Sequence, residues 1–314
     1  MWMWEVGISV INLAAEENNN DQRDDAPAIL VVGGDGAIGS HLFHEAHARG
    51  LTVHRTSRRD PAPGGAWSLQ LGEDSSTSSL LKIVQVRGVT DAVISIGETS
   101  MAACASEPNA TWKINVTDTQ QLIEALVGSG VSVVLISSGA VFSGRSQRPT
   151  EESACDPETE YGRQKAALED SVLAYEGTRI VRFSKVLSSS NGLWSQWMQD
   201  IRAGKTIRAF ENMTLAPLRT SVAVSAILRQ LQIPSGRIVH VSPPDEITYT
   251  EAVRLLAHEM GRPVNLEPLK VHLDVNRGIL PNRWTALGTV HRDAFLQTES
   301  SQSAMQMFTH ELLV

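Results

Sequence analysis

Tyr161 and Lys165 stand four residues apart in the run ETEYGRQKAALED, whose pattern predicts a helix over 159–175. That spacing puts both side chains on one face of the helix. A free phenol has a pKa of about 10, too high for efficient proton exchange near neutrality. A lysine ammonium one turn away favours the phenolate and brings that value down, which makes the pair a candidate proton donor or acceptor. Upstream, the apolar run SVVLIS leads into Ser138, so a hydroxyl is expected at the end of a strand. In an open sheet covered by helices, reacting groups belong at strand ends. The bland alternative is an ordinary exposed Tyr–Lys pair.

A second cluster lies in ILVVGGDGAIGSHL, residues 29–42. Gly33, Gly36 and Gly39 have the spacing GxxGxxG, and Gly34, Gly36 and Gly39 also satisfy GxGxxG. A strand precedes the glycines and a helical register follows them. Small residues there let the backbone turn tightly, approach a pyrophosphate and pack helix against strand, while the helix start offers free amides to the phosphates. The loop therefore predicts dinucleotide binding. An acid at the end of the second strand would mark NAD. The sequence there is VHRTSRRD, with Thr56, Ser57, Arg58 and Arg59 at the strand end and Asp60 too late for the ribose. Arginines in that place favour the extra 2′-phosphate of NADP over NAD.

The elements that must hold these groups are legible as alternation. Apolar, β-branched runs at Ile29–Val32, Leu51–His54, Asp91–Ile96, Val131–Ile136 and Arg179–Phe183 read as strands. Amphipathic runs at Ser40–Arg49, Ala110–Leu126 and Thr159–Tyr175 read as helices between several of them. Near-continuous apolar strands alternating with helices imply an α/β fold with a doubly wound parallel sheet. Past residue 190 the rhythm loosens and prolines accumulate, from Pro217 to Pro281, which predicts a smaller second lobe. The expected organisation is a disordered N-terminal extension over 1–27, a dinucleotide-binding domain over 28–190 and a mainly substrate-binding lobe over 191–314.

The bulk properties exclude several classes. With 27 basic and 35 acidic residues among 314, the formal charge is −8, which predicts no nucleic-acid or membrane partner. Two distant cysteines, Cys104 and Cys155, match no metal spacing and fit a reducing, cytoplasmic setting. The apolar start MWMWEVGISVINLAA has no basic residue before it and is too short to span a bilayer, so it reads as a tail or an alternative start site.

Glycine loop, strand-end serine and YxxxK in this order resemble the short-chain dehydrogenase/reductase superfamily, and the length resembles its extended branch. The segments ASEPNATWKINVTDTQQLIEAL, ISSGAVFSG, IVRFSKVL, APLRTSVAVSAIL and GRIVHVSPPDEITYTEAVRLLAHEMG resemble the branch's dTDP-4-dehydrorhamnose reductases. The resemblance covers about residues 28–290 and implies a Rossmann sheet with a smaller C-terminal α/β lobe. It implies Tyr161 as general acid in reducing a keto group on a nucleotide-activated sugar. It also implies Lys165 on the nicotinamide ribose, Ser138 on the substrate oxygen and Asn115 in a water relay to the lysine. The cofactor residues it implies are Gly33, Gly36, Ala37, Ile38, Gly39, Ser57, Arg58, Arg59, Gly97, Tyr161 and Lys165, with a sugar nucleotide as partner, no metal, and a homodimer as the family's usual state.

Departures narrow the chemistry. Dehydratases of this branch carry Asp-Glu after the strand-end hydroxyl, whereas this chain has Gly139 and Ala140. Epimerases commonly place a diphosphate-binding arginine where Pro217 stands, which favours a reductase. The family's YGP is replaced by Leu187 to Ser189, and the reductases' Asp-Tyr is also missing, so substrate contacts differ. A net-neutral epimerase and a non-catalytic regulatory subunit are the competing readings. His41, His44 and His47 read as surface residues, Trp194, Trp197 and Trp284 more as core than as stacking platforms. Arg208 and Arg219 are candidate phosphate ligands.

Overall fold

The structure is a computed structural model that describes residues 28–59, 62–188, 192–271, 283–291 and 298–313. The expected extension over 1–27, Asp60, Ser189, the boundary at 190–191 and Pro281 lie outside the described residues.

The first half runs β1 (Ala28–Val32), α1 (Ala37–Ala48), β2 (Val53–Ser57), β3 (Trp67–Ser68), α2 (Asp74–Val86) and β4 (Val89–Ile94). It continues with α3 (Met101–Ser106), α4 (Pro108–Trp112), a π-helical turn (Lys113–Asp118), α5 (Thr119–Gly128) and β5 (Ser132–Ser138). After α6 (Glu160–Val172) and β6 (Thr178–Phe183) come β7 (Lys185–Leu187), α7 (Gly192–Arg202), β8 (Thr206–Phe210), β9 (Thr214–Leu215) and β10 (Pro217–Arg219). The chain then forms α8 (Thr220–Gln232), β11 (Ile238–Val241), β12 (Ile247–Thr248), α9 (Tyr249–Glu259), β13 (Asn265–Leu269) and α10 (Ser301–Leu313).

Seven strands form one parallel sheet in the order β11-β6-β5-β4-β1-β2-β3. Strand side chains alternate between its faces. Ile29, Val31, Val93, Val134 and Val181 pack with α1 and α8 on one side. Leu30, Val32, Ala92, Val133 and Leu135 pack with α2, α5 and α6 on the other. Burial on both faces explains why these strands read as continuous apolar runs. The strand order reverses between β1 and β4, and that switch point is where a crevice opens at the carboxyl ends.

A third apolar cluster joins α7, β8, β9, α9 and α10 through Trp194, Trp197, Ile201, Ile207, Leu215, Leu256 and Phe308. Trp194 and Trp197 meet edge to face with centroids 5.3 Å apart, so both are core residues and neither is a stacking platform. Two expected elements need correction. The second strand runs Val53–Ser57 rather than Leu51–His54, because Thr56 and Ser57, polar yet buried, bond to the glycine loop. The helix expected over 110–126 is three segments, broken by the π-helical turn.

Candidate active site

The glycine loop links β1 to α1 at the switch point. Gly33 has φ +88°, and a Cβ there would stand 2.5 Å from the Ser95 carbonyl oxygen beyond β4. A Cβ on Gly39 would land on the carbonyl oxygen of Gly33, so α1 can approach the loop only without one. Gly36 caps α1 with extended backbone and no side-chain acceptor, which leaves the first-turn amides to a ligand. This cradle fits the pyrophosphate of a dinucleotide, with Gly36, Ala37 and Ile38 on the cleft wall. Gly33, Gly39, Ser57, Arg58 and Arg59 do not line that wall; Ser57 closes β2, and Arg58 and Arg59 follow it.

The loop is stapled to β2. The Gly33 amide donates to Thr56 Oγ1 at 3.0 Å and the Gly34 amide to the Thr56 carbonyl at 3.0 Å. Ser57 Oγ donates to Asp35 Oδ2 at 2.6 Å, and Arg59 Nε lies 3.6 Å from the same oxygen. Arg58 is exposed, with its carbonyl accepting from Gln70 Nε2 at 2.6 Å. The Asp35 contact is absent from the sequence reading. Its signal was an acid inside a glycine loop, where small or neutral residues suffice.

Strand β5 ends on Ser138, whose Oγ accepts from the Ala140 amide at 3.1 Å. Helix α6 opens with Thr159 as its cap, its hydroxyl accepting from the Gly162 amide at 3.1 Å. Tyr161 and Lys165 then project from its first turns, and both line one cleft with Ser138. Lys165 is 6% exposed; its Nζ donates to the Ile136 carbonyl at 3.2 Å and stands 6.0 Å from the Tyr161 ring centroid. Burial pulls the lysine down to about 8, against the opposing charge of Glu169. Burial pushes the phenol up to about 12, with a hydrogen bond to Ser138 pulling the other way. In the chain alone, desolvation outweighs an ammonium that stands 6.0 Å from the ring centroid and is directed at a backbone carbonyl.

The π-helical turn points Asn115 into the protein, where it is buried. Its Oδ1 accepts from the Glu98 amide at 2.7 Å, and its Nδ2 donates to the Glu98 carbonyl at 2.9 Å and to Gln164 Oε1 at 2.7 Å. Gln164, between Tyr161 and Lys165 in sequence, is itself held by Thr111 Oγ1 at 2.9 Å. Asn115 thus ties the loop after β4, which carries Gly97, to α6 instead of lining the cleft. Gln164 was missed because its periodicity marks it only as a buried helix position.

The cleft has a volume of about 810 Å³, and its far walls come from Ser184–Val186, Met213–Leu215, Tyr249 and Trp284–Leu287. Lys185 lines it, is exposed there, and has no carboxylate partner among the described residues. Arg219 instead binds Glu299 at 2.6 Å and Glu311 at 3.2 Å, and Arg208 pairs with Glu267 at 3.3 Å. Neither arginine reaches the cleft, so neither meets the phosphate-ligand expectation. His41, His44 and His47 are exposed along α1. Among the described residues, no helix is long and apolar enough to cross a membrane.

The sequence profile of the NAD dependent epimerase/dehydratase family matches residues 29–224. The chain belongs to that family. A UDP-glucose 4-epimerase of Streptomyces lividans is 32% identical over 152 residues, which is 46% of this chain and 46% of that protein. The chain spans about half the length of the curated relatives it matches. Among solved structures, a dTDP-4-dehydrorhamnose reductase from Bacillus anthracis in complex with NADP superposes with a TM-score of 0.79, at 18% identity over 92% of this chain and 100% of that one. A UDP-glucose 4-epimerase from Thermotoga maritima with UDP-glucose gives 0.73, at 18% identity over 91% and 98%. In this family setting the parallel sheet is the Rossmann-like core of an extended short-chain dehydrogenase/reductase.

Proposed function

We propose that this epimerase/dehydratase-family chain is an NADPH-dependent reductase acting on a keto group of a nucleotide-activated sugar. The observation that carries the reading is the convergence of Ser138, Tyr161 and Lys165 on the cleft that the glycine loop opens into. A nicotinamide dinucleotide, when bound, supplies the hydride. Ser138 donates a hydrogen bond to the substrate carbonyl oxygen, and Tyr161 gives that oxygen its proton. Lys165 holds the ribose beside the phenol, and the residues from 191 onward supply most of the substrate wall. Lys185, a cation of the far wall without a carboxylate partner among the described residues, meets the diphosphate of the substrate.

Pro217, standing where epimerases of the family commonly carry a diphosphate-binding arginine, supports reduction over epimerisation. Gly139 and Ala140 leave no acid-base pair for dehydration. The epimerase remains the second reading on the strength of the matched UDP-glucose 4-epimerase. Incubation with NADPH and a panel of 4-keto sugar nucleotides tests the choice. Equimolar loss of NADPH and ketone supports the reductase, and interconversion of a sugar nucleotide alcohol with its epimer on oxidised cofactor, without net cofactor reduction, supports the epimerase. Tight cofactor binding with no chemistry on any substrate indicates the regulatory subunit.

A further inference from the structure

The end of β2 lacks an acid of its own, yet the fold delivers one there. Ser57 is the last residue of β2, and its hydroxyl donates to Asp35 Oδ2 at 2.6 Å from a position 22 residues away in sequence. The same hydroxyl accepts from the Arg59 amide at 3.1 Å, and Arg59 Nε closes on Asp35 Oδ2 at 3.6 Å. The result is a carboxylate, a hydroxyl and a guanidinium gathered where a dinucleotide's adenosine ribose meets the second strand. The two charged groups have opposite preferences. A carboxylate accepts from ribose hydroxyls and repels a 2′-phosphate, while a guanidinium binds that phosphate.

We propose that Asp35 is the cofactor-discriminating residue of this chain, acting against Arg59 so that its preference for NADPH over NADH is held to about tenfold. This rests on the proposed dinucleotide site and refines its preference for NADPH. The pair is built to change partners. The Arg59 side chain is 67% exposed and its contact with Asp35 is long, whereas the Asp35 side chain is only 25% exposed and anchored by a short bond from Ser57. When a 2′-phosphate arrives, Arg59 is free to swing onto it. Asp35 cannot leave and continues to repel it. When a plain ribose arrives, Arg59 stays on Asp35, and the second lone-pair set of the carboxylate takes the hydroxyl. Arg58 is the other exposed cation beside this site and adds to phosphate attraction without contacting Asp35. No other described side chain makes a hydrogen bond or ion pair with the Asp35 carboxylate.

Equilibrium binding tests the proposal without any turnover. Dissociation constants for NADPH, NADH, 2′-phospho-ADP-ribose and ADP-ribose are measured by fluorescence or calorimetry on the full chain, for the wild type, Asp35→Asn and Arg59→Gln. The wild type is expected to bind the two reduced cofactors within about tenfold of each other. Asp35→Asn keeps the Ser57 contact as an acceptor and removes the charge, so it is expected to tighten both 2′-phosphorylated ligands about tenfold or more. The unphosphorylated ligands should then hold or weaken. Arg59→Gln is expected to move the ratio the opposite way. An unchanged ratio in Asp35→Asn, with all ligands still bound, overturns the role of Asp35. So does a wild-type preference well above tenfold for either cofactor. If no dinucleotide binds the wild type, the dinucleotide site itself is wrong, which is a separate failure.

Discussion

Replacing Lys165 by Met removes a buried charge and should stabilise the protein in a pH-dependent way. Lys165 is 6% exposed and titrates at about 8 in the folded chain, against the ordinary 10.5. The unfolded chain therefore binds more protons between those values, so the ammonium destabilises the fold fully below pH 8, and the penalty fades as pH rises toward 10.5. At about 1.4 kcal/mol per pKa unit, the penalty is about 3 kcal/mol at pH 7 and falls to about 1 to 2 kcal/mol by pH 9.5. Loss of the bond to the Ile136 carbonyl offsets about 1 kcal/mol of the gain at either pH. Lys165→Met should thus be about 2 kcal/mol more stable than the wild type at pH 7, and nearly equal to it at pH 9.5. Urea unfolding of both proteins at the two pH values gives the comparison, and other titrating groups cancel in the difference. A stability difference that does not change between pH 7 and 9.5, or a variant less stable at pH 7, refutes the reasoning.

Three further outcomes follow from the same structure. Arg182 is buried and held by Glu169 through bonds including one of 2.6 Å, so Glu169→Ala leaves an unpaired buried cation and should cost about 3 to 5 kcal/mol in urea unfolding. Burial holds His240 neutral with a pKa of about 4, its Nδ1 on the Gly288 carbonyl at 2.8 Å. Because its folded pKa lies below the unfolded 6.5, stability is full above pH 6.5 and about 3 kcal/mol is lost as pH falls through 4. His240→Gln should flatten that acid limb in a series of melting curves. Lys185→Gln should raise the KM for a sugar nucleotide about tenfold or more with kcat nearly unchanged, since a contact made equally in ground and transition states affects binding alone. Equal KM values in steady-state kinetics would remove Lys185 from the substrate site.

The sheet was legible because its central strands are buried on both faces and so appear as unbroken apolar runs, Ile29–Val32 and Val131–Ile136 among them. Ser138, Tyr161 and Lys165 were legible because one strand end and one helix turn place all three. What stayed hidden depends on contacts between distant segments. Helix α2 was not read, since its start DSSTSS carries too many serines to show an apolar stripe. The π-helical turn inserts an extra residue per turn without changing composition, so the break in the helix expected over 110–126 left no signal. Arg219 looked available because its partners Glu299 and Glu311 lie eighty and more residues further on. The burial of Tyr161, which pushes its phenol up in the chain alone, depends on the depth of the cleft and has no local signature. Asp35 and Ser57 meet across 22 residues, which no local pattern records.

The central claim is that Tyr161 is the proton donor in a net reduction driven by NADPH. A single-turnover comparison of the wild type with Tyr161→Phe on an accepted 4-keto sugar nucleotide, with NADPH dissociation constants measured alongside, addresses it directly. The account predicts that Tyr161→Phe binds NADPH within about threefold of the wild type and oxidises it about a hundredfold or more slowly, the usual worth of a positioned acid. A variant that oxidises NADPH at near the wild-type rate would contradict it, as would a wild type that turns over sugar nucleotide while its cofactor remains unconsumed.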